Sequence, residues 1–154
     1  MGAGERETLE EELAAVASCD RGEAAGFTAA LACAQAAALL ELTATLAGRR
    51  LGSDEMAALG AEAAQVRARA MELADEERTA WAEAQAAGSP GLASRAPREV
   101  AELATRVADG AGAVVAAGDW PFTPDARVAE VMAEAAGRSA GLAVDANRER
   151  GDGA

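Results

Sequence analysis

Carboxylates are the side chains of this 154-residue chain best suited to moving protons. The sequence contains no His and no Lys, which excludes a Ser-His-Asp triad, a Cys-His dyad, a His-based zinc site, a P-loop lysine and a lysine Schiff base. The two cysteines, Cys19 and Cys33, lack a metal-ligand spacing, so we expect reduced thiols and no metal site. Proton transfer would therefore fall to Asp or Glu, with Cys, Arg or bound water as the remaining candidates.

Glu77 stands in a row of apolar residues within the third predicted helix. Alternating spacings of three and four place the row on one helix face: Met56, Leu59, Ala63, Val66, Ala70, Leu73, Glu77, Ala80 and Ala84. An acid on a buried face is costly unless it is paired or neutral. Either Glu77 has a partner such as Arg78 or an arginine from another helix, or the row ends before it, or it is a general acid or base with a raised pKa.

Two further carboxylates are candidates. Glu41 is the only charge in the second predicted helix, where it fits either a functional position or the rim of the helix. Asp125 lies in the first turn of the fifth predicted helix, where exposed N–H groups favour an acid even without a functional role. It precedes a row with spacings of three and four: Val128, Met132, Ala135, Ser139 and Leu142.

The elements that must position these residues are all predicted to be helices. Ala, Leu, Glu and Arg dominate, and the predicted helices cover residues 5–18, 27–46, 54–87, 97–117 and 123–148. Ser53 is the expected N-cap of the third helix, and residues 88–91 form the strongest break. We expect one domain over residues 1–154 with a frayed tail from about 150. Its fold class would be all-α, an antiparallel up-and-down bundle of about five helices.

Composition limits the partners and the location. The net charge of −12 and the pI near 4.4 argue against a nucleic-acid partner. Residues 1–13 lack the basic and apolar regions of a signal peptide, and we expect the Ala-rich stretch 24–47 to be a buried helix in a cytoplasmic protein, not a membrane span. Because 46 residues are alanines, which bury little area each, we expect a homodimer.

Several segments follow one another in the order found in a known family. The first two are Glu23-Ala24-Ala25-Gly26-Phe27-Thr28-Ala29-Ala30, Ala-rich from there to Gly48-Arg49-Arg50, and Leu73-Ala74-Asp75-Glu76-Glu77-Arg78-Thr79-Ala80-Trp81. The others are Pro97-Arg98-Glu99-Val100-Ala101-Glu102-Leu103, Gly118-Asp119 with Pro124-Asp125-Ala126-Arg127-Val128-Ala129, and Ala143-Val144-Asp145-Ala146-Asn147. In this order the chain resembles the cyclodeaminase domain of formiminotransferase-cyclodeaminase and its stand-alone bacterial relatives, the methenyltetrahydrofolate cyclohydrolases. The resemblance covers nearly the whole chain.

The resemblance implies an all-helical dimer whose substrate is a tetrahydrofolate derivative, with no covalently bound cofactor. The reaction would be ammonia release from formiminotetrahydrofolate, as in a C–N lyase, or water addition to the methenyl bridge, as in a cyclic-amidine hydrolase. By motif position Glu77 would be the catalytic acid, Asp125 a second catalytic polar group, and Arg49 or Arg50 would meet the glutamate tail of the folate. Further substrate contacts would come from Gly26, Phe27, Glu41, Trp81 and Asn147.

The chain also departs from the family pattern. Gly26 is the one glycine kept from a Gly-Gly-Gly-Ser loop, Phe27 stands at the Ser position, Glu77 replaces an Asp, and Ala143 replaces an Asn. Most relatives are longer between residues 87 and 97. These departures leave two alternatives: a divergent member that binds or converts a different small molecule, for example in specialised metabolism, or a non-catalytic dimeric interaction protein.

Overall fold

The computed structural model describes residues 9–18 and 24–152, apart from the side chains of Leu9, Trp81, Gln85, Pro90 and residues 150–152. Its elements are α1 (Leu9–Ala17), α2 (Ala25–Leu51), α3 (Asp54–Ala86), a 3-10 helix (Pro90–Ser94), α4 (Arg95–Ala117) and α5 (Thr123–Asp152). These two ranges contain no strand. The predicted all-α class is therefore confirmed.

The connection between α2 and α3 follows its local sequence. Gly52 takes the left-handed conformation (φ 63°) that glycine adopts without a steric penalty, and it ends α2. Ser53 Oγ accepts a hydrogen bond from the Met56 backbone N–H at 3.3 Å, as expected of an N-cap. Because α2 runs through Arg49 and Arg50, it is longer than the predicted 27–46.

Helix α2 is the centre of the fold and packs against α3, α4 and α5. Its buried residues are mostly alanines, and the adjoining helices add a few larger, fully buried side chains such as Leu73, Val100 and Val107. A Cβ placed on Gly60 of α3 would lie 2.8 Å from Thr45 Oγ1, which is closer than ordinary contact. Small side chains therefore let the two helix backbones approach closely.

Helices α2 and α3 are antiparallel. Three contacts join the helices from one end to the other: Gly48 with Ala57, Glu41 with Arg67, and Gly26 with Glu77. The residue number decreases along α2 as it increases along α3, so the two helices run in opposite directions. The predicted apolar row of α3 is confirmed as its inner face, since Met56, Ala63, Val66, Ala70, Leu73 and Ala84 are buried. Glu77 therefore projects from the side of α3 that faces the core.

Helix α5 buries a row of small residues. The buried members are Ala126, Ala129, Ala133, Ala136, Ala140, Ala143 and Asn147. The row that follows Asp125 in the sequence lies on another side of the helix, where Val128 is 48% exposed and Leu142 is 71% exposed. Met132 is the member of this row that packs against the core, and it is half-buried. Both rows have spacings of three and four, but the buried row is nearly all alanine, which allows close contact with the core.

Among the described helices, α2 alone has the length and apolar composition of a membrane span. Half of the apolar window on which this rests is buried inside the protein. Core helices of this kind have the same composition as spans, so the two cannot be told apart by composition alone.

Two leucines of α2 test this assignment of the core. Leu40 is 1% exposed and Leu42 is 48% exposed. We expect Leu40→Ala to lower the free energy of unfolding by about 2–5 kcal/mol, because it leaves a cavity, and Leu42→Ala to change it by less than about 1 kcal/mol. Urea unfolding followed by circular dichroism measures both values. Equal losses for the two variants would contradict the position given to α2.

Candidate functional site

The carboxyl group of Glu77 is the centre of the candidate site. It projects from α3 against the first turn of α2, where a Cβ built on Gly26 would overlap Glu77 Oε2. A glycine at this position leaves the space that the carboxyl group occupies. Within the described residues Glu77 Oε1 is buried and has no hydrogen-bond partner.

The environment raises the pKa of Glu77 to about 7. Burial is the larger cause, because it disfavours the charged form, and the negative charge of Glu76 adds to it. A carboxyl group with this pKa populates both protonation states near neutral pH, which is what proton transfer to or from a substrate requires.

Glu76 is held by arginines on the other side of the α3 turn. Arg69 contacts Glu76 at 2.9 Å and also makes two hydrogen bonds to Glu99 of α4, at 2.6 and 2.8 Å. Arg95 adds a contact to Glu76 at 2.7 Å. This network fixes α3 against α4. It also holds the carboxylate of Glu76, the residue that precedes Glu77 in the sequence.

Arg78, the residue after Glu77, contacts α1 and Phe27. Its guanidinium group forms an ion pair with Glu12 of α1 and lies over the Phe27 ring, with Cζ 5.3 Å from the ring centroid. It also contacts Asp75 at 3.4 Å. Arg78, which was predicted as a partner for Glu77, thus joins α1 and the Phe27 ring to α3.

The structure brings together Gly26, Phe27 and Glu77 from the set of predicted site residues. Arg50 lies at the other end of α2, about 36 Å away along a helix that rises about 1.5 Å per residue. There its Cζ is 5.3 Å from the Trp120 ring centroid, and Trp120 stacks on Phe122 at 6.0 Å. Trp120 is in the connection that leads into the first turn of α5.

Asp125 follows that connection and is exposed. Within one chain it therefore lies near the C-terminal end of α2, whereas Glu77 lies near the N-terminal end of α2. Arg49 is exposed at the same end as Asp125. Their predicted roles remain predictions, but within one chain neither residue lies beside Glu77.

Two other predicted contacts have partners of their own. Glu41 accepts a hydrogen bond from Arg67 Nε at 2.8 Å, on the outer part of the contact between α2 and α3. Asn147 is buried and donates a hydrogen bond from Nδ2 to the carbonyl oxygen of Ala93 at 3.0 Å, which fixes the end of α5 to the 3-10 helix. The Trp81 side chain lies outside the described part of the structure.

Glu77 lines neither of two shallow grooves on the described surface. One, of about 390 Å³, lies between α4 and α5 and includes Ala104, Gly137 and Arg138. The other, of about 320 Å³, lies where α3 meets the 3-10 helix and α4, and it includes Glu76 and Arg95.

Cys19 lies outside the described residues. Cys33 is buried, which raises the pKa of its thiol to about 11 and makes the reactive thiolate scarce.

No protein-family model matches this chain, and no curated protein matches it. The geometry around Glu77 and the order of the motifs in the sequence are therefore the two grounds for assigning a function.

The raised pKa of Glu77 predicts a pH-dependent contribution to stability. Between pH 4.5 and about 7 the folded chain keeps a proton that the unfolded chain releases, so this group lowers the free energy of unfolding as pH rises through that window. We expect Glu77→Gln to be more stable than the native chain at pH 8 by about 1–2 kcal/mol, a value reduced for the partial exposure of the side chain, and equally stable at pH 4.5.

Urea unfolding of both proteins at the two pH values tests this prediction. Glu62→Gln is the matched control, because Glu62 is on the same helix and its carboxylate is exposed beside Arg106. A difference between Glu77→Gln and the native chain that is the same at both pH values would contradict a raised pKa.

The contact between Gly26 and Glu77 gives a second prediction. We expect Gly26→Ala to displace the carboxyl group toward solvent and to lower the pKa of Glu77 toward 4.5, with the fold retained, because the displaced atoms are the end of a flexible side chain. A carbon-detected NMR titration of the carboxyl groups measures this. Gly112→Ala is the control, since a Cβ there meets only Glu130 Oε1, at an ordinary 3.6 Å. An unchanged pKa in Gly26→Ala would refute the contact.

Proposed function

We propose that this chain binds a tetrahydrofolate derivative and uses Glu77 as a general acid or base, in the manner of the cyclodeaminases and cyclohydrolases that its sequence resembles. The observation that supports this most directly is the Glu77 carboxyl group, buried against Gly26 with one oxygen unpartnered among the described residues and with a pKa of about 7. The proposal includes an antiparallel helical bundle, which the antiparallel pairing of α2 and α3 supports.

Both reactions of the resembled family need a group of this kind. Release of ammonia from a formimino group requires a proton on the departing nitrogen, and addition of water to a methenyl bridge requires removal of a proton from the water. Each reaction passes through a carbon in an amidinium-like cation. A nearby carboxylate stabilises this cation, and it does so more strongly in a site from which water is excluded.

The proposed single-chain site consists of Glu77, Gly26 and Phe27. A ligand held there would have to span about 36 Å along α2 to reach Arg50 in the same chain, at about 1.5 Å per residue. Proton transfer is therefore assigned to Glu77 without a contribution from Asp125 of the same chain.

A second candidate is a different, more compact cationic ligand at the same carboxyl group. The observation that favours it is the Phe27 ring, which takes the place of a small serine in the family pattern and lies under the Arg78 guanidinium group. These two side chains reduce the space beside Glu77. A small amidine or guanidine compound, with the same charge and planarity as the reacting part of the folate, would need less room.

Glu77→Gln tests the assigned role. We expect the variant to lose the turnover of methenyl- or formiminotetrahydrofolate by about 100-fold or more, because the amide cannot exchange a proton, and to keep its helical circular dichroism spectrum. Absorbance of the methenyl chromophore and ammonia release are the two readouts. Glu62→Gln, which changes an exposed carboxylate of the same helix, is expected to keep full turnover.

A thermal-shift titration comes before the kinetic assay. Tetrahydrofolate, 5-formyltetrahydrofolate and methenyltetrahydrofolate are added to the native chain, with a panel of small amidines in parallel. A saturable rise in melting temperature with a folate supports the first candidate, and a rise with an amidine alone supports the second. Turnover that survives in Glu77→Gln rejects the catalytic role of this residue.

A further inference from the structure

We propose that the outer face of α5 is a dimer interface in which α5 of one copy packs antiparallel on α5 of a second copy of this chain. The centre of the contact lies at the level of Ala136. This proposal does not depend on the function proposed for Glu77.

The first observation is where the large apolar side chains are exposed. Val131 and Leu142 are the most exposed large apolar residues among those described, at 61% and 71%. Val128 is exposed on the same helix. Single exposed apolar residues are common on protein surfaces, but three on one side of one helix form a stripe of the kind that partners cover.

The second observation is that the stripe is self-complementary in an antiparallel pair: the exposed residues on one side of Ala136 meet those on the other side of Ala136 in the second copy. Val131 and Leu142 are equally far, to within one residue, from Ala136, on opposite sides of it. In an antiparallel pair centred there, Val131 of each copy packs on Leu142 of the other. A parallel pair would instead place Val131 against Val131 and Leu142 against Leu142.

The charges beside the stripe match in the same way. Arg127, Glu134, Arg138 and Asp145 are exposed and lie within an arc of about 40°, at about 3.6 residues per turn. Reversal about Ala136 places Arg127 opposite Asp145 and Glu134 opposite Arg138. Because the pairing is symmetric, each match occurs twice in the dimer.

In a parallel pair, each of these charged residues would face its own copy, and like charges would repel. Within one chain Glu134 and Arg138 form an ion pair at 3.8 Å, and because their side chains are 52% and 72% exposed, a partner can reach both. The charge pattern therefore selects a second copy of this chain, in the antiparallel orientation.

The remaining exposed charges of α5 do not oppose this arrangement. Glu149 falls opposite the first turn of the partner α5, whose N–H groups favour an anion. Asp125 lies on another side of the helix, and Arg148 lies about 40° beyond the edge of the charged arc, where reversal about Ala136 places it opposite the uncharged Pro124. Glu130 is half-buried and faces α4, with Oε1 3.6 Å from a Cβ built on Gly112.

The stripe has small residues at the point where the two helices would cross. Ala135 and Ser139 are exposed on the stripe side of α5 next to the level of Ala136. Small residues at a crossing point allow the two helices to approach closely.

The oligomeric state of the full chain tests the proposal. Sedimentation velocity over a range of concentrations is expected to show a species of twice the 15.4 kDa chain mass. Leu142→Arg is expected to raise the dissociation constant about 100-fold or more, because the dimer loses two buried leucines and gains two buried charges. Leu42→Arg, on the exposed part of α2, is the control and is expected to dimerise normally.

Charge reversal tests the antiparallel orientation. Glu134→Arg and Arg138→Glu, made singly, are each expected to raise the dissociation constant about tenfold or more, because they place like charges opposite each other. The double variant E134R/R138E restores opposite charges across the interface, and its dissociation constant is expected to return to within about threefold of the native value. Melting temperatures of the dilute monomers report separately on any effect within α5.

Three results would overturn the proposal. One is a chain that stays monomeric at all concentrations, which would mean that the stripe serves a different occupant. Another is loss of the dimer in Leu42→Arg with its retention in Leu142→Arg, which would move the interface to α2. The third is a double charge variant that fails to recover dimerisation, which would exclude the antiparallel pairing.

Discussion

The close approach of α2 to the helices around it is the constraint on which the rest of the structure depends. It is possible because the buried residues of α2 are mostly alanines and because glycines occupy the nearest points of approach, as at Gly48 and Gly60. Such a core is dense but buries little apolar area per residue. Only some of the larger apolar side chains, such as Leu40 and Leu73, lie between the helices, and several others lie on the outside, most of all on α5.

Ion pairs add to the contacts between helices. The arginine network around Arg69 holds α3 to α4, and the ion pair between Glu12 and Arg78 joins α1 to α3. These contacts use the arginines next to Glu77 in the sequence and on the preceding turns. Burial and the charge of Glu76 then dominate the pKa of Glu77, and its Oε1 finds no partner in the described part of the chain.

The sequence predicted the helices and the inner face of α3 because both depend on local periodicity. The nine-residue row that contains Glu77 was sufficient to place this acid toward the core. For α5 the same reasoning did not identify the buried face, because two rows have equal spacing and only tertiary contact distances decide between them. The pairing of Arg78 with Glu12, across 66 residues, has no local signal. The separation of Asp125 from Glu77 also has no local signal, because it follows from the length of α2 and the point at which α5 begins.

The contact of Gly26 with Glu77 has a consequence for how related sequences are classified. The burial of the acid is encoded at two positions that are far apart in the chain, so the residue at position 77 alone does not reveal whether its carboxyl group is buried. A lineage could release the acid to solvent by one methyl group at position 26 and keep the fold, the helix and the acid itself. Homologues with Gly26 and Glu77 together, and those with only one of the two, would then form separate functional groups within one fold.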